Sequence, residues 1–348
     1  LEPDFFELYR LMLRSRLFEE AVIQIWEDGK ISGEMHLAIG EEAIAAGIVG
    51  QIQKGDALAL DHRGTPPLIM RGVDPTLILL EFFGHPDGLC GGMGGHMHMF
   101  SRPHLAASSG IVGASAPAAV GFALSARYLR PGSIAVAFFG EGAMNQGMVM
   151  ESFNLAASRK LPVLFICKDN EWAITTLSSS VTSGSLIERA NSFGMDALEI
   201  DGSDVMAVWD AAKTAIEKAR NGNGPSYLHM HCWRPEGHFL GDPLIQIARH
   251  PVKEMKDMAG PLLKSMTKKK GSSVRQRAGS LRSVTSVLGK TIKSQLTKEK
   301  DPLEMLRQKI IKDKGRLNII EKEVKEEIQA AISKAIQMAA GQTGSDTP

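Results

Sequence analysis

Apolar residues recur along this chain at two different spacings. Between residues 4 and 28, Phe5, Leu8, Leu11, Leu13 and Phe18 fall among charged residues at helical intervals and predict an amphipathic helix. "GEEAIAAGIVGQI" (40–52) and "SAPAAVGFALSARYL" (115–129) also predict helices. The second is rich in small residues, which suits close packing against a sheet or a partner chain. Four short runs are continuously apolar instead: "SIAVAFFG" (133–140), "LPVLFICKDN" (161–170), "ALEIDG" (197–202) and "PSYLHMHCWR" (225–234). Helical patterns at 145–159, more weakly at 185–194, and at 204–222 separate them. Strands that are apolar on both faces and alternate with helices predict an α/β fold, a mostly parallel sheet flanked by helices on both faces. The chain has no internal repeat. From 316 onward, "RLNIIEKEVKEEIQAAISKAIQMAA" predicts a long charged amphipathic helix, and the last few residues are polar enough to be disordered.

Sheets of this kind bind ligands at the carboxyl ends of their strands. Two of the predicted strands end in polar residues there, Gly140-Glu141-Gly142 and Asp169-Asn170. The 27 residues between Gly142 and Asn170 suffice for one helix and one crossover, so the two tips can face one crevice. A carboxylate, an amide oxygen and loop carbonyls form a hard-oxygen set that suits Mg²⁺ when phosphate oxygens complete its shell. The glycines let backbone approach a diphosphate, and a helix N-terminus follows. An ordinary strand-to-helix turn capped by Asn145 explains the same residues, and composition alone favours it. "GEGAMNQG" is not G-x-G-x-x-G, and no G-x-x-x-x-G-K-[ST] occurs, which argues against dinucleotide and P-loop sites. Cys90, His96 and His98 in "CGGMGGHMHMF" are a weak zinc pattern, two histidines two apart with one distant cysteine, and a metal there is rejected.

Composition narrows the class. With 348 residues, 43% of them hydrophobic, the chain can bury a substantial core, and it lacks the run of roughly 18 apolar residues that a membrane span needs. Cys90, Cys167 and Cys232 are odd in number and far apart, which predicts free thiols in a reducing compartment. The expected location is the cytoplasm, or a mitochondrial or plastid matrix if a transit peptide has been removed. Net charge is +1, yet residues 251–300 carry 13 Lys and Arg against 3 Asp and Glu, so a mildly acidic body bears a basic segment. Within it, Val274, Leu281, Val284, Leu288, Ile292 and Leu296 keep helical spacing. A solvated, partly helical excursion is the plainer reading, and docking to an acidic partner the sharper one. Nucleic acid fits the charge, but no recognised binding module accompanies it.

"GEGAMNQG…E.FNLAA…LPVLFIC.DN.W" resembles the thiamine diphosphate signature. More narrowly, it resembles the alpha subunits of the thiamine-dependent dehydrogenase components of the pyruvate, branched-chain 2-oxo acid and acetoin dehydrogenase complexes. "MHLAIGEEA" (35–43), "DHRG" (61–64), "GGMGGHMHMF" (91–100), "GIVGASAP" (110–117) and "GHFLGDP" (237–243) continue the likeness in order, over roughly 5–245, and it resumes at "DPLEMLRQKI" (301–310). The resemblance implies a thiamine diphosphate-binding α/β domain over 1–245 and a basic insertion, partly helical or mobile, over 246–300. C-terminal helices at 301–340 and a tail at 341–348 complete it.

Residue by residue, the likeness implies Mg²⁺ held by Glu141, Asn170 and the backbone carbonyl of Trp172. It implies diphosphate contacts from His62, Arg63, Gly142, Ala143 and His238, alongside Gly140, backbone contacts to the aminopyrimidine from Gly110 and Val112, and a further cofactor contact near Ser101. His238 is the implied proton donor and His36 a residue of the substrate end. Three departures stand out. Glu141 replaces the usual Asp, Asp169 the usual Asn, and Thr65-Pro66-Pro67 stands where the family carries one or two more histidines near the reacting centre. Phe239 occupies the place of a regulatory Ser in mitochondrial pyruvate enzymes. The glutamate that activates the cofactor lies on the family's beta subunit, so the likeness implies an alpha2-beta2 assembly acting on pyruvate, another 2-oxo acid or acetoin, with acyl transfer to a lipoyl-bearing acyltransferase component. Two alternatives fit the departures: a non-oxidative carboligase, and a non-catalytic subunit with a degraded metal site.

Overall fold

The computed structural model describes residues 2–174, 176–242, 245 and 301–342. The basic insertion expected at 246–300 and residues 343–348 of the tail lie outside them. Seven strands form one sheet: β1 (Ala57–Leu60), β2 (Phe100–Ser101), β3 (Ala106–Ser108), β4 (Ala135–Gly140), β5 (Val163–Asp169), β8 (Asp196–Asp201) and β9 (Ser226–His231). Their order is β2-β3-β1-β4-β5-β9-β8, and every pairing except β2 with β3 is parallel. A separate short hairpin, β6 (Trp172–Ala173) with β7 (Thr176–Leu177), follows β5.

Alternation along the strands divides the core in two. Leu58, Val136, Phe138, Leu164, Ile166, Leu228 and Met230 face one layer. That layer contains α1 (Phe5–Glu27), α2 (Glu42–Val49), α3 (Thr65–Met70), α4 (Pro75–Phe82) and α8 (Val205–Arg220). It also takes in α9 (Pro302–Ile310) and α10 (Lys314–Gln342). Ala137, Phe139, Phe165, Cys167 and Tyr227 face the other layer, made by α5 (Ser115–Leu129), α6 (Gly147–Ser158) and α7 (Leu186–Asn191). With both faces covered, the central strands have no polar side, which is why they read as unbroken apolar runs.

The C-terminal helices belong to the first layer. Leu317, Ile320, Val324 and Ile328 of α10 are buried in the same core as α1. Arg16 of α1 ties three elements together, with its guanidinium 2.6 Å from Glu42 and 2.9 Å from Asp301. Several elements were not predicted, β1 and α3 among them. β1 is the four-residue run "ALAL", too short to show a period, and α3 opens on Pro66 and Pro67. Prolines are tolerated in the first turn, where their missing N–H groups have no intrahelical acceptor.

Strand succession places the binding crevice. From β1 the chain moves outward to β3 and β2, and from β4 it moves the other way to β5 and β9. The direction reverses between β1 and β4, and such switch points open a cleft beyond the carboxyl ends of the strands.

Candidate functional site at the carboxyl ends of the strands

The strands at and beyond the switch point end in polar and charged side chains. β1 runs into Asp61-His62-Arg63, β4 into a 3-10 turn at Glu141–Asn145, β5 into Asn170 and Trp172, and β9 into the loop that carries Arg234 and His238. β4 and β5 are neighbours with Gly140 opposite Lys168, so the two tips that raised the diphosphate reading do share one crevice.

Four histidines gather around Arg63. The His36 ring centroid lies 4.9 Å from His62, 5.2 Å from His96 and 4.9 Å from His238. His36 Nδ1 is 2.9 Å from His96 Nε2. Arg63 is 1% exposed; its guanidinium donates to the Leu37 carbonyl and, at 2.6 Å, to the His238 carbonyl. Burial and then the Arg63 charge pull the histidines down, His36 and His238 to about 3, His96 to about 4, and His62 further still. All four are therefore neutral at pH 7. Burial, with Arg234 next, lowers Arg63 itself to about 10, so it remains a cation.

Beneath this cluster Lys168 reaches Glu41 at 2.6 Å and Asp61 at 3.0 Å, and Arg234 approaches Glu41 at 3.4 Å. Burial alone would raise Glu41, but the Lys168 and Arg234 charges hold it below the usual carboxylate range. Gly40 permits this contact geometry. Its φ is +98°, and a Cβ there would sit 1.8 Å from the Trp233 carbonyl oxygen.

Glu141 is 2% exposed and accepts a 2.6 Å hydrogen bond from Ser178. Burial raises its carboxyl, and the nearby Asp169 charge adds to the rise. A buried carboxylate in this state gains from a cation. Asp169 turns elsewhere: one oxygen accepts from the Glu171 N–H at 2.7 Å, and the other is 2.7 Å from His229 Nε2. Glu171 and Ile174, on either side of Trp172, hold left-handed φ values of +67° and +55°. Non-glycine residues pay about 1–2 kcal/mol each for that conformation, a cost that concentrates at ligand loops.

Among the described residues, five buried polar atoms on these loops lack a partner: His62 Nε2, Arg63 Nε, Asn170 Oδ1, Trp233 Nε1 and Arg234 Nε. At about 1–3 kcal/mol each, leaving such a set unpaired costs as much as the net stability of a whole domain, a cost that a bound ligand would remove. Three are obligate N–H donors, which suit an anion, and Asn170 offers an acceptor, which suits a cation. An anion paired with a metal ion satisfies both kinds at once.

Other expected residues fall into place around this set. Gly142 and Ala143 follow Glu141 in the 3-10 turn, and a Cβ on Gly142 would meet Ala173 at 3.1 Å. Gly110 and Val112 lie just past the carboxyl end of β3, with Val112 53% exposed. Ser101 is the correction. It pairs with Ala106, the first residue of β3, and its hydroxyl is 2.7 Å from His104 Nδ1. That places it at the amino ends of the parallel strands. There a basic cavity of about 490 Å³ is lined by Lys54, Arg71, Arg102, His104 and Arg130.

The family match set the glycine-rich loop of His96 at the active-site entrance without giving that histidine a role, and sequence reading missed Glu41, Lys168 and Arg234. Thr65-Pro66-Pro67 suggested a centre short of histidines, yet His96 comes in from the glycine-rich loop. The loop can do this because Glu81 accepts the N–H groups of Cys90, Gly92, Gly94 and Gly95 at 2.6–3.2 Å. Cys90 is engaged with the Phe100 backbone instead of with His96.

Several named proteins are similar to this chain. The chain is 38% identical over 262 residues to a pyruvate dehydrogenase E1 component subunit alpha of Zymomonas mobilis, covering 74% of each chain. It is 39% identical over 237 residues to the alpha subunit of an acetoin:2,6-dichlorophenolindophenol oxidoreductase of Bacillus subtilis, covering 68% of this chain and 71% of that one. A chloroplastic pyruvate dehydrogenase E1 subunit alpha-3 of Arabidopsis thaliana is 36% identical over 245 residues, 57% of its length. The model of the dehydrogenase E1 component matches residues 9–271, most of the chain, and the protein belongs to that family.

Proposed function

We propose that this chain is the alpha subunit of a thiamine diphosphate- and Mg²⁺-dependent dehydrogenase component, which acts with a beta subunit on pyruvate, a related 2-oxo acid or acetoin and delivers the acyl group to a lipoyl carrier. The observation that carries it is the set of unpartnered buried atoms, donors and acceptor together, at the switch point. A diphosphate held through a divalent ion would supply the acceptors and the cation that these atoms call for.

Glu141, Asn170 and the Trp172 carbonyl would hold the ion. Glu141 is one methylene longer than the family's usual Asp, and its Ser178 hydrogen bond steadies that extra length. His62 and Arg63 would bind diphosphate oxygens, with the backbone of Gly142 and Ala143 close by, and the backbone of Gly110 and Val112 would take the aminopyrimidine. Bound there, thiamine diphosphate supplies a carbon nucleophile and an electron sink.

The remaining work falls to the histidines. All four are neutral at pH 7, and within the pair His36 and His96 one ring donates and the other accepts. Arg63 anchors the backbone of His238, and the Leu240 N–H donates to the Met35 carbonyl at 2.8 Å, so the 237–242 loop stays over the crevice. His36 Nδ1 and His96 Nε2 share one proton across 2.9 Å, a route for moving it off the reacting centre.

Exposed apolar residues beside the crevice favour a beta partner. Ile111, Val112, Ile174 and Val181 are each more than half exposed. The three free thiols suit a reducing compartment. Among the described residues no helix is long and apolar enough to cross a membrane.

The test is to isolate the native complex through this chain, measure its thiamine diphosphate and Mg²⁺, identify co-purifying proteins, and assay lipoamide reduction with pyruvate and with acetoin. A beta-type partner, near-stoichiometric cofactor and substrate-dependent reduction are expected. Cofactor with aldehyde coupling but no lipoamide reduction would select the carboligase. Absence of cofactor even in excess would mean a scaffold subunit.

A further inference from the structure

A second polar cluster lies farther along the same strand tips. On β9 the sequence Tyr227-Leu-His229-Met-His231 alternates, so both imidazoles extend from one face in line with Tyr227. The neighbouring strands supply carboxylates on that face: Asp169 stands opposite His231 on β5, and Glu199 opposite His229 on β8. Side chains reach across diagonally. His229 Nε2 is 2.7 Å from Asp169, His231 Nε2 is 2.6 Å from Glu199, and the two rings lie 4.8 Å apart.

One ligand atom from each of Asp169, His229 and His231 lies within 4.8 Å of the others. Ligands of a tetrahedral zinc ion at ordinary bond lengths are roughly 3.4 Å apart, so side-chain adjustments of at most about 1.4 Å complete the set. Two imidazoles and a carboxylate are not a Mg²⁺ donor set; they suit a borderline first-row ion. Glu199 can complete the coordination or hold the second nitrogen of His231. Three adjacent strands fix the ligands, and the side chains of His231 and Glu199, 43% and 62% exposed, leave an entry path.

We propose that Asp169, His229, His231 and Glu199 form a divalent transition-metal site, of Zn²⁺ type, that joins the tip of β5 to the edge strand β8. The site is independent of the proposed cofactor. The Asp169 carboxylate turns away from Glu141 toward it, and one peptide bond separates Asp169 from Asn170, so an ion here would brace the loop that carries the cofactor's metal ligands.

The experiment uses the full chain stripped with chelator, titrated with Zn²⁺ in excess Mg²⁺, and repeated with Co²⁺ for its visible absorption. Wild-type protein should bind a Zn²⁺ that Mg²⁺ does not displace. Affinity for that ion should fall at least tenfold in His231→Gln and also in Glu199→Gln, both exposed changes that leave the core intact. His36→Gln, in the other histidine cluster, should retain it. Equal binding by wild type and His231→Gln, or loss in His36→Gln with retention in His231→Gln, would overturn the proposal.

Discussion

Two groups of histidines sit at the same edge of one sheet, and their surroundings differ in sign. His36, His62, His96 and His238 are packed around a buried guanidinium, and no carboxylate accepts from their rings among the described hydrogen bonds. His229 and His231 each face a carboxylate at 2.7 and 2.6 Å. The first group is poor in negative charge and suits an anion, while the second already supplies negative charge and suits a cation. Identical side chains thus acquire opposite ligand preferences from what is buried beside them.

The sharpest way to break the first group is Arg63→Ala. It removes the cation that the four histidines surround and leaves the Leu37 and His238 carbonyls unpaired. Diphosphate affinity, read by calorimetry, should fall more than about 100-fold, and stability by about 3 kcal/mol in denaturant unfolding.

Asn170→Ala should separate function from stability. Mg²⁺-dependent cofactor affinity should fall about tenfold to 100-fold, while the cofactor-free chain should hold its stability or gain about 1 kcal/mol, because an unpartnered oxygen has been removed. A large loss of stability without cofactor would show that Asn170 has a structural partner.

pH sharpens the contrast further. The four clustered histidines bind protons less readily folded than unfolded, so the unfolded state takes up more protons below its ordinary histidine value near 6.5. Their contribution to stability is therefore present above 6.5 and is lost as pH falls from there toward 3. Glu19 acts in the other direction. Buried and raised to about 8, it stabilises most below its unfolded value of 4.5, and that contribution is lost as pH rises through 8. Diphosphate should lift the histidines, so binding at pH 6 should take up protons, seen as a buffer-dependent heat in calorimetry.

The smallest effect belongs to the second group. His231→Gln, without added transition metal, should change stability by less than about 0.5 kcal/mol, since its partner Glu199 is largely exposed. It should leave diphosphate binding unchanged.

The sequence by itself determined the sheet's parallel character, the principal helices and strands, and the two tips, Gly140-Glu141-Gly142 and Asp169-Asn170. Those features follow from local periodicity and from glycine and carboxylate placement, both of which survive in one dimension. It also carried enough ordered motif to point to the family. Tertiary structure alone decided the rest. β1 was too short to show a period, Ser101 was carried to the opposite end by the antiparallel turn of β2, and His96 reached the crevice because Glu81 gathers a glycine-rich loop. Lys168, Glu41 and Arg234 converge from separate segments into one ion cluster. His229 and His231 read as alternate residues of a buried strand until β5 and β8 set carboxylates beside them. In each case the deciding quantity is distance between residues far apart in the chain, which the crossovers establish and which no local pattern encodes.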